Sequence, residues 1–264
     1  MVAFSHMLPL KCAAGPFIVG AVVAIALAHV LPCVWCTAPL KGKKLEVVYF
    51  DLPGPGEPLR LLLALGGFDF TDTRVPFSEW PALKPTTKWG QLPALNVDGE
   101  QLTQHSAISH FLAKQIRIDG KLLYPKDALK ALHIDEIIDA FEDVRKLLVP
   151  TFKIADQKEK EAARAQLFSA GGACTALLVK INQFAACNAG PWIVGGSCTL
   201  ADVWCFYACN FLRSTFWDGL PTNFLDQHTK LSKVCNAVAS IPAVAAFYAP
   251  LADHKFYKAH QVRQ

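Results

Sequence analysis

The pattern of apolar and polar residues after position 44 divides the chain into two parts. In the first part, short apolar runs alternate with turn residues, and an Asp-Gly pair between two runs is typical of a β-hairpin. The pattern predicts a fully buried strand over residues 45–50, further strands over 69–75, 92–97 and 101–103, and helices over 57–65 and 105–115. A stretch with three prolines after residue 75 is predicted to be a long loop. This part is expected to form an α/β layer of about 75 residues.

The second part, after residue 125, has a different period. Apolar residues recur every three or four positions, as at Ile134, Ile137 and Phe141, and strand-like runs disappear. This spacing predicts a helical bundle. Thr199 and Asp202 precede another apolar run, and a Thr followed three residues later by an acid is a capping box. We expect these two residues to serve folding rather than chemistry.

A long apolar segment precedes both parts. Residues 12–40 contain no Asp, Glu, Lys or Arg, and residues 16–36 are long enough for one membrane-spanning helix. The segment is either a retained anchor or a targeting peptide that is cleaved on entry to an organelle or the secretory pathway. Three lysines follow it between residues 41 and 44, whereas only Lys11 precedes it. This asymmetry favours an anchor with the remainder of the chain facing the cytoplasm.

Composition narrows the class of protein. Of the 264 residues, 52% are hydrophobic and 18% are charged, so the chain is too apolar to be disordered. The net charge of +4 is scattered, and no dense basic stretch with interleaved aromatic residues supports nucleic-acid binding. The nine cysteines show no zinc-type spacing, and we expect no metal.

Four motifs, in their order and spacing, resemble the soluble glutathione transferase family, nearest its sigma class. They are VYF-x6-EPLRLLLAL, SEWPALK followed by GQLPAL, LTQHSAISHFLA, and WIVGGSCTLADVWCF. The resemblance implies the glutathione transferase fold, with a thioredoxin-like α/β domain over residues 45–122 and an all-α helical domain over residues 123–264. The hydrophobic N-terminal helix and a Lys-rich linker would occupy residues 1–44.

The resemblance also implies an activity, the conjugation of reduced glutathione to a hydrophobic electrophile. In this family a tyrosine at the end of the first strand, here Tyr49, donates its hydroxyl to the glutathione sulfur. A thiol with a pKa near ~8.5 is mostly protonated at neutral pH, and the thiolate is the nucleophile. A donor aimed at the sulfur favours the thiolate, and each unit of pKa shift corresponds to ~1.4 kcal/mol.

Further glutathione contacts are implied by position in the same motifs. The backbone of Leu92, before a cis Pro93, would pair with the cysteinyl part of the tripeptide. Gln91 precedes Leu92 in the same implied glutathione-binding loop. Gln104 and His105 would contact the γ-glutamyl end, and Trp80 and Lys84 would contact the glycine end. Asp143 would reach glutathione held by a second subunit, which implies a homodimer. Aromatic candidates for the electrophile site are Phe152, Phe216, Trp217 and Tyr248.

Two departures from the family pattern leave alternatives open. Pro55 stands where the family often has an arginine that stabilises the thiolate, and Arg60 matches a different family arginine. Either the activity is reduced, or Arg74 or water takes part. His105 stands where the family usually has serine. The alternatives to conjugation are a glutathione-dependent isomerase similar to prostaglandin isomerases, a peroxidase, and a non-catalytic binding or structural protein.

Overall fold

A computed structural model describes residues 40–260 of the chain. The N-terminal layer contains strands β1 (Leu45–Phe50), β2 (Thr71–Val75), β3 (Ala94–Val97) and β4 (Glu100–Thr103) and helices α1 (Glu57–Leu65), α2 (Trp80–Leu83) and α3 (His105–Ala113). The sheet order is β2-β1-β3-β4, with β1 parallel to β2 and the other neighbours antiparallel. The predicted order of strands and helices is therefore present. The predicted segment at residues 16–36 lies outside the described residues.

Burial along β1 corrects one expectation. Leu45, Val47 and Tyr49 are buried, whereas the alternate residues are only partly buried. Successive side chains of a strand point to opposite faces of the sheet, and here Glu46 and Val48 line an open groove on the second face. The strand is therefore covered on one face rather than fully buried.

The proline-rich stretch also differs from the prediction of a long loop. It contains α2 and a short 3-10 helix over Lys84–Thr86, and each has its proline in the first two helical positions. Proline is tolerated there because the first N–H groups of a helix have no carbonyl partner within the helix. The prolines thus mark the starts of these helices.

Helices form the remainder of the described chain, after a small hairpin of β5 (Arg117–Ile118) and β6 (Lys121–Leu122). They are α4 (Ala128–Leu148), α5 (Gln157–Leu167), α6 (Ala173–Ala186), α7 (Leu200–Leu212), α8 (Thr229–Ala239) and α9 (Pro242–Tyr248). The boundary at residues 122/123 stays a prediction, since the described residues 40–260 belong to one compact unit. Within residues 40–260, no single helix is apolar and long enough to cross a bilayer. Two consecutive helical segments, Thr229–Ala239 and Pro242–Leu251, are together long and apolar enough for such a span, but they are bent by 84° relative to each other.

Helix α7 lies at the centre of the helical layer, and all of its residues are buried. It packs against α4, α8 and α1. Its start has the capping-box geometry. The carboxylate of Asp202 accepts the Thr199 N–H at 2.7 Å and the Thr199 hydroxyl at 2.8 Å, and its other oxygen accepts the Ile193 N–H at 2.7 Å. A single carboxylate therefore satisfies two buried backbone donors.

Replacing this buried cap tests its contribution to stability. Asp202→Ala would leave the N–H groups of Ile193 and Thr199 buried without acceptors, which should lower the free energy of unfolding by about 2–4 kcal/mol. Asp127, the exposed cap of α4, accepts only the Lys130 N–H, at 2.8 Å. Asp127→Ala is the matched control, with an expected loss of about 1 kcal/mol. Chemical denaturation measures both, and equal losses would contradict the explanation.

Candidate active site

A cavity of about 520 Å³ lies where the end of β1 meets helices α4 and α7. Its volume is within the range of small-molecule sites. The lining is mainly apolar and aromatic, and it consists of Tyr49, Phe50, Leu52, Pro55, Phe77, Leu92, Arg145, Val149, Phe152, Phe211, Phe216 and Trp217. Residues from both layers contribute, so the cavity combines the end of a strand with the wall of a helical bundle.

Tyr49 has a buried ring, and its side chain reaches this cavity. Its hydroxyl makes no hydrogen bond with any residue in the described part of the chain. Burial raises the pKa of Tyr49 well above its usual value, although the nearby Arg60 and Arg145 act in the opposite direction. The phenol therefore stays protonated at neutral pH, which makes it a hydrogen-bond donor available to a ligand.

The loop after β1 lies directly against the Tyr49 ring. A Cβ atom at Gly54 would come within 2.5 Å of the Tyr49 hydroxyl oxygen and 2.7 Å of a Leu52 methyl group. A Cβ atom at Gly56 would come within 2.5 Å of the ring carbons. Only glycine permits so close an approach of the backbone. The two glycines thus allow the loop to cover the ring.

Arg60 holds this loop from behind. Its buried guanidinium donates to the carbonyl of Leu52 at 2.9 Å and to that of Phe50 at 3.1 Å, and its carbon lies 5.7 Å from the Tyr49 ring centroid. It also lies 3.4 Å from Glu57, a buried carboxylate that accepts the Tyr248 hydroxyl at 2.7 Å. Tyr248 therefore belongs to this network and does not line the cavity. The expectation that it contributes to the electrophile site was wrong.

Arg74, the other arginine weighed from the sequence, is engaged elsewhere. Its guanidinium forms ion pairs with Asp51 at 2.6 Å and with Asp72 at 2.8 Å. It does not line the cavity. Arg74 is therefore not placed to replace the arginine that Pro55 displaces.

Gln91 and Pro93 flank Leu92, which lines the cavity, and Gln104 lies close to Gln91. The Leu92-Pro93 bond is cis, and the Gln104 side-chain nitrogen lies 3.5 Å from the Gln91 side-chain oxygen. Gln104 has a positive φ of 69° and immediately precedes α3. The N–H groups in the first turn of a helix have no carbonyl partner within the helix, and they suit a carboxylate.

His105 has a different environment from the exposed or ligand-facing position considered from the sequence. Its Nε2 lies 3.2 Å from a carboxylate oxygen of Glu142, and its ring stacks on Trp204 with centroids 5.4 Å apart. The side chain is therefore directed toward α4 and α7. The backbone N–H of His105 remains at the start of α3.

Trp80 and Lys84 lie on the short helices that follow β2. The Trp80 ring packs edge-on against Phe50, which lines the cavity, with centroids 5.7 Å apart. The Lys84 ammonium makes no hydrogen bond or ion pair with residues 40–260. Asp143, on α4, is exposed and pairs with Lys146 at 3.0 Å. Lys84 and Asp143 are thus exposed, and Trp80 is partly buried.

Sequence reasoning missed Arg145 and Glu142. Arg145 lines the cavity, and its Nε and Nη2 atoms donate to Glu142 at 2.9 and 2.6 Å. Burial acts to raise the pKa of Glu142, but hydrogen bonds from His105 and Arg145 outweigh it and lower the pKa to about 2. The three-residue spacing of Glu142 and Arg145 indicated a helical ion pair. Nothing in the spacing indicated that the pair borders a cavity.

One cluster of possible metal ligands occurs among residues 40–260. The Sγ atoms of Cys205, Cys209 and Cys235 lie within 4.8 Å of one another, and all three residues are buried. A thiol must ionise to bind a metal well, and burial raises the pKa of the Cys205 thiol well above its usual value. We assign these cysteines to core packing between α7 and α8.

Comparisons with known proteins give similarities to glutathione S-transferases. The family model described as "Glutathione S-transferase, C-terminal domain" matches residues 142–250. The chain is 33% identical over 207 residues to "Glutathione S-transferase 1" of Ascaris suum, an alignment that covers 77% of this chain and 95% of that protein. It is 28% identical over 200 residues to "Hematopoietic prostaglandin D synthase" of Homo sapiens, covering 76% and 92%.

A solved structure is similar over the same part of the chain. The glutathione S-transferase of Ascaris lumbricoides has a TM-score of 0.65 and 33% identity, covering 78% of this chain and 97% of that one. This chain therefore belongs to the glutathione S-transferase family. At the level of the family it is a transferase with glutathione as co-substrate, and its fold is a thioredoxin-like layer followed by a helical bundle.

The close approach of Gly54 to Tyr49 generates a test of the site. In Gly54→Ala, the added methyl group must displace either the loop or the tyrosine hydroxyl. Displacement of a reacting group by about 1 Å can cost up to ~100-fold in rate, so we expect kcat for glutathione conjugation to fall by about 10- to 100-fold. The matched control is Gly196→Ala, where an added Cβ has no atom within 4 Å. Wild-type kcat in Gly54→Ala would contradict the assignment.

Proposed function

We propose that the chain conjugates the thiolate of reduced glutathione to hydrophobic electrophiles, with the Tyr49 hydroxyl donating a hydrogen bond to the sulfur. The observation that carries this proposal is the hydroxyl itself, which belongs to a buried ring, stays protonated, lines the cavity and has no partner within residues 40–260. A hydrogen bond to the charged form of a group favours that form. The donor therefore increases the thiolate fraction at neutral pH.

The neighbouring residues suit the parts of a tripeptide. The Leu92 backbone, beside Tyr49 on the cavity wall, would pair with the cysteinyl unit like an added strand. Gln91, Gln104 and the first N–H groups of α3, including that of His105, would hold the γ-glutamyl end. The indole N–H of Trp80 and the ammonium of Lys84 would contact the glycine end of the tripeptide.

The aromatic wall supports an apolar second substrate. Phe152 and Trp217 have centroids 5.0 Å apart, and Phe211 and Phe216 have centroids 5.2 Å apart. Such surfaces stabilise apolar, flat molecules by burial. In the reaction the sulfur lone pair forms a bond to an electrophilic carbon. The displaced electron pair leaves with a leaving group, or moves along a conjugated acceptor that then takes a proton from water.

A glutathione-dependent isomerase is the second candidate. It is supported by the similarity to a protein whose name is prostaglandin D synthase. The same thiolate would attack an endoperoxide oxygen, forming an S–O bond and breaking the O–O bond, and the alkoxide released would take a proton from water. Loss of a proton from the carbon that bears the sulfur-bound oxygen would then form a carbonyl and break the S–O bond, so that glutathione is regenerated. Product analysis separates the two activities, because conjugation consumes glutathione and isomerisation does not.

Removing the hydroxyl tests the proposal. Tyr49→Phe keeps the buried ring but loses the donor to the sulfur. A hydrogen bond to a charged group contributes about 1.5–3 kcal/mol, so kcat/KM with a generic aryl halide should fall by about 10- to 150-fold. The matched control is Tyr124→Phe, whose hydroxyl binds Asp135 at 2.9 Å and does not line the cavity.

The outcomes separate an enzyme from a binding protein. The control should retain wild-type kcat/KM. If the wild-type chain is retained on glutathione resin but shows no turnover with aryl halides or endoperoxides, the chain is a binding protein. If Tyr49→Phe turns over as fast as the control, the catalytic assignment of Tyr49 is wrong.

We also infer a homodimer. Asp143 is exposed on α4. A residue that reaches glutathione in a second subunit must be exposed on its own subunit. Exposed apolar side chains on the same helix, Leu129 and Leu132, are 62% and 52% accessible, and a partner could cover them. Mass measurement in solution should give twice the mass of one chain. A single-chain mass at micromolar concentration would contradict the inference.

Membrane association through residues 16–36 is a separate proposal, supported by the apolar length of the segment and the lysines after it. We propose that the remainder of the chain faces the cytoplasm. The full chain should sediment with membranes and resist carbonate extraction, whereas a chain lacking residues 1–44 should not. A shortened mature chain would instead support cleavage of a targeting peptide. A full-length chain in the soluble fraction would contradict the membrane association.

A further inference from the structure

The cavity contains one charged side chain among its described lining residues. Arg145 lies on α4, and the other lining residues are apolar or aromatic, with the Tyr49 hydroxyl and the Trp217 indole nitrogen as their polar side-chain groups. A charge in apolar surroundings interacts more strongly with a ligand charge than it would in water. A guanidinium that is the charged group in such a wall suggests an anionic group in the ligand.

Arg145 is held so that one end of its guanidinium remains available. Nε and Nη2 donate to Glu142, while Nη1 makes no hydrogen bond with residues 40–260. The side chain is 29% exposed. The Glu142 carboxylate also accepts a hydrogen bond from His105, so it is held by residues of both α3 and α4. The guanidinium therefore has a fixed orientation, with a free N–H₂ group.

Tyr49 and Arg145 border the same cavity from opposite layers. Arg145 is near enough to Tyr49 to act on the pKa of the tyrosine, although the larger effect there is burial. A sulfur that accepts the Tyr49 hydroxyl would thus lie in the field of the guanidinium. The loop after Tyr49 offers no cation of its own, because residues 52–56 are Leu, Pro, Gly, Pro and Gly.

Resting on the proposed function, we propose that Arg145, oriented by Glu142, supplies the positive charge that stabilises the glutathione thiolate. An opposite charge within about 4–6 Å lowers the pKa of an acid by about 1–3 units. The other two arginines near Tyr49 are committed elsewhere. Arg60 is fully buried behind the ring, and Arg74 is paired with Asp51 and Asp72.

Glu142 is a positioning residue in this arrangement. Its low pKa keeps it ionised over the whole working range of the protein, so Arg145 is held in place at any pH near neutral. The bond from His105 links this ion pair to the first residue of α3, where the γ-glutamyl end of glutathione is proposed to bind. The His105 side chain thus contributes to the site indirectly, through Glu142, without touching the ligand.

The test measures the thiol pKa of bound glutathione directly. The full chain in detergent, saturated with glutathione, is titrated by the ultraviolet absorbance of the thiolate. In Arg145→Met we expect the thiol pKa to rise by about 1 unit or more, with kcat at neutral pH falling about tenfold. Arg145→Lys keeps the charge and should recover part of the shift. Glu142→Gln should give an intermediate value because the cation remains but loses its anchor.

A control separates this effect from a general loss of positive charge. Arg117→Met removes an arginine that donates to the Gly120 carbonyl in the β5–β6 hairpin and does not line the cavity. The thiol pKa of glutathione bound to this variant should equal that of glutathione bound to the wild type. If Arg145→Met does not fold, Arg145→Gln serves in its place, because it is polar and its amide N–H₂ can donate to Glu142.

The results distinguish this inference from the proposed function. If the wild type lowers the thiol pKa and a folded Arg145→Met or Arg145→Gln does so equally, the role of Arg145 is wrong while the function stands. If the wild type binds glutathione without lowering the thiol pKa, or does not bind it, both the function and the inference fail. A fall in glutathione affinity with an unchanged thiol pKa would also overturn the inference, because Arg145 would then bind another part of the tripeptide.

Discussion

The orientation of Tyr49 depends on the buried charge network behind it. Arg60 donates to two carbonyls of the following loop, and its charge is balanced by Glu57 and by Asp72. A buried ion pair that loses one partner leaves an uncompensated charge, which commonly costs about 3–5 kcal/mol. The same network fixes the loop that covers the ring, so the position of the hydroxyl in the cavity follows from it. The chemistry of the site is thus built on a structural arginine that does not line the cavity.

Helix α4 connects the two layers on the other side of the cavity. Side chains on a helix turn by about 100° per residue, so positions two apart point in nearly opposite directions. Asp143 is exposed to solvent, and Arg145 faces the cavity. One helix therefore carries both a residue suited to an intersubunit contact and a residue suited to the sulfur. Glu142, between the layers, pairs with His105 of α3 and fixes this arrangement.

The strands and helices could be predicted from the sequence where their period is clear. The limits of β1 and α1 agree with the pattern, because Leu-rich and β-branched runs end there at turn residues. The motifs placed Tyr49, Leu92 and Gln104 around one site, since each is close to the end of a strand or the start of a helix. Arg145 could not be found in this way. Its spacing from Glu142 is equally typical of an exposed ion pair on a helix, and the three-dimensional structure is needed to show that Arg145 borders the cavity beside Tyr49.

An experimental structure of the full chain with reduced glutathione would show whether the Tyr49 hydroxyl contacts the glutathione sulfur. We expect the sulfur to lie within about 3.5 Å of the Tyr49 oxygen, with the cysteinyl backbone paired to Leu92. Glutathione bound with its sulfur directed away from Tyr49, or bound outside this cavity, would contradict the account.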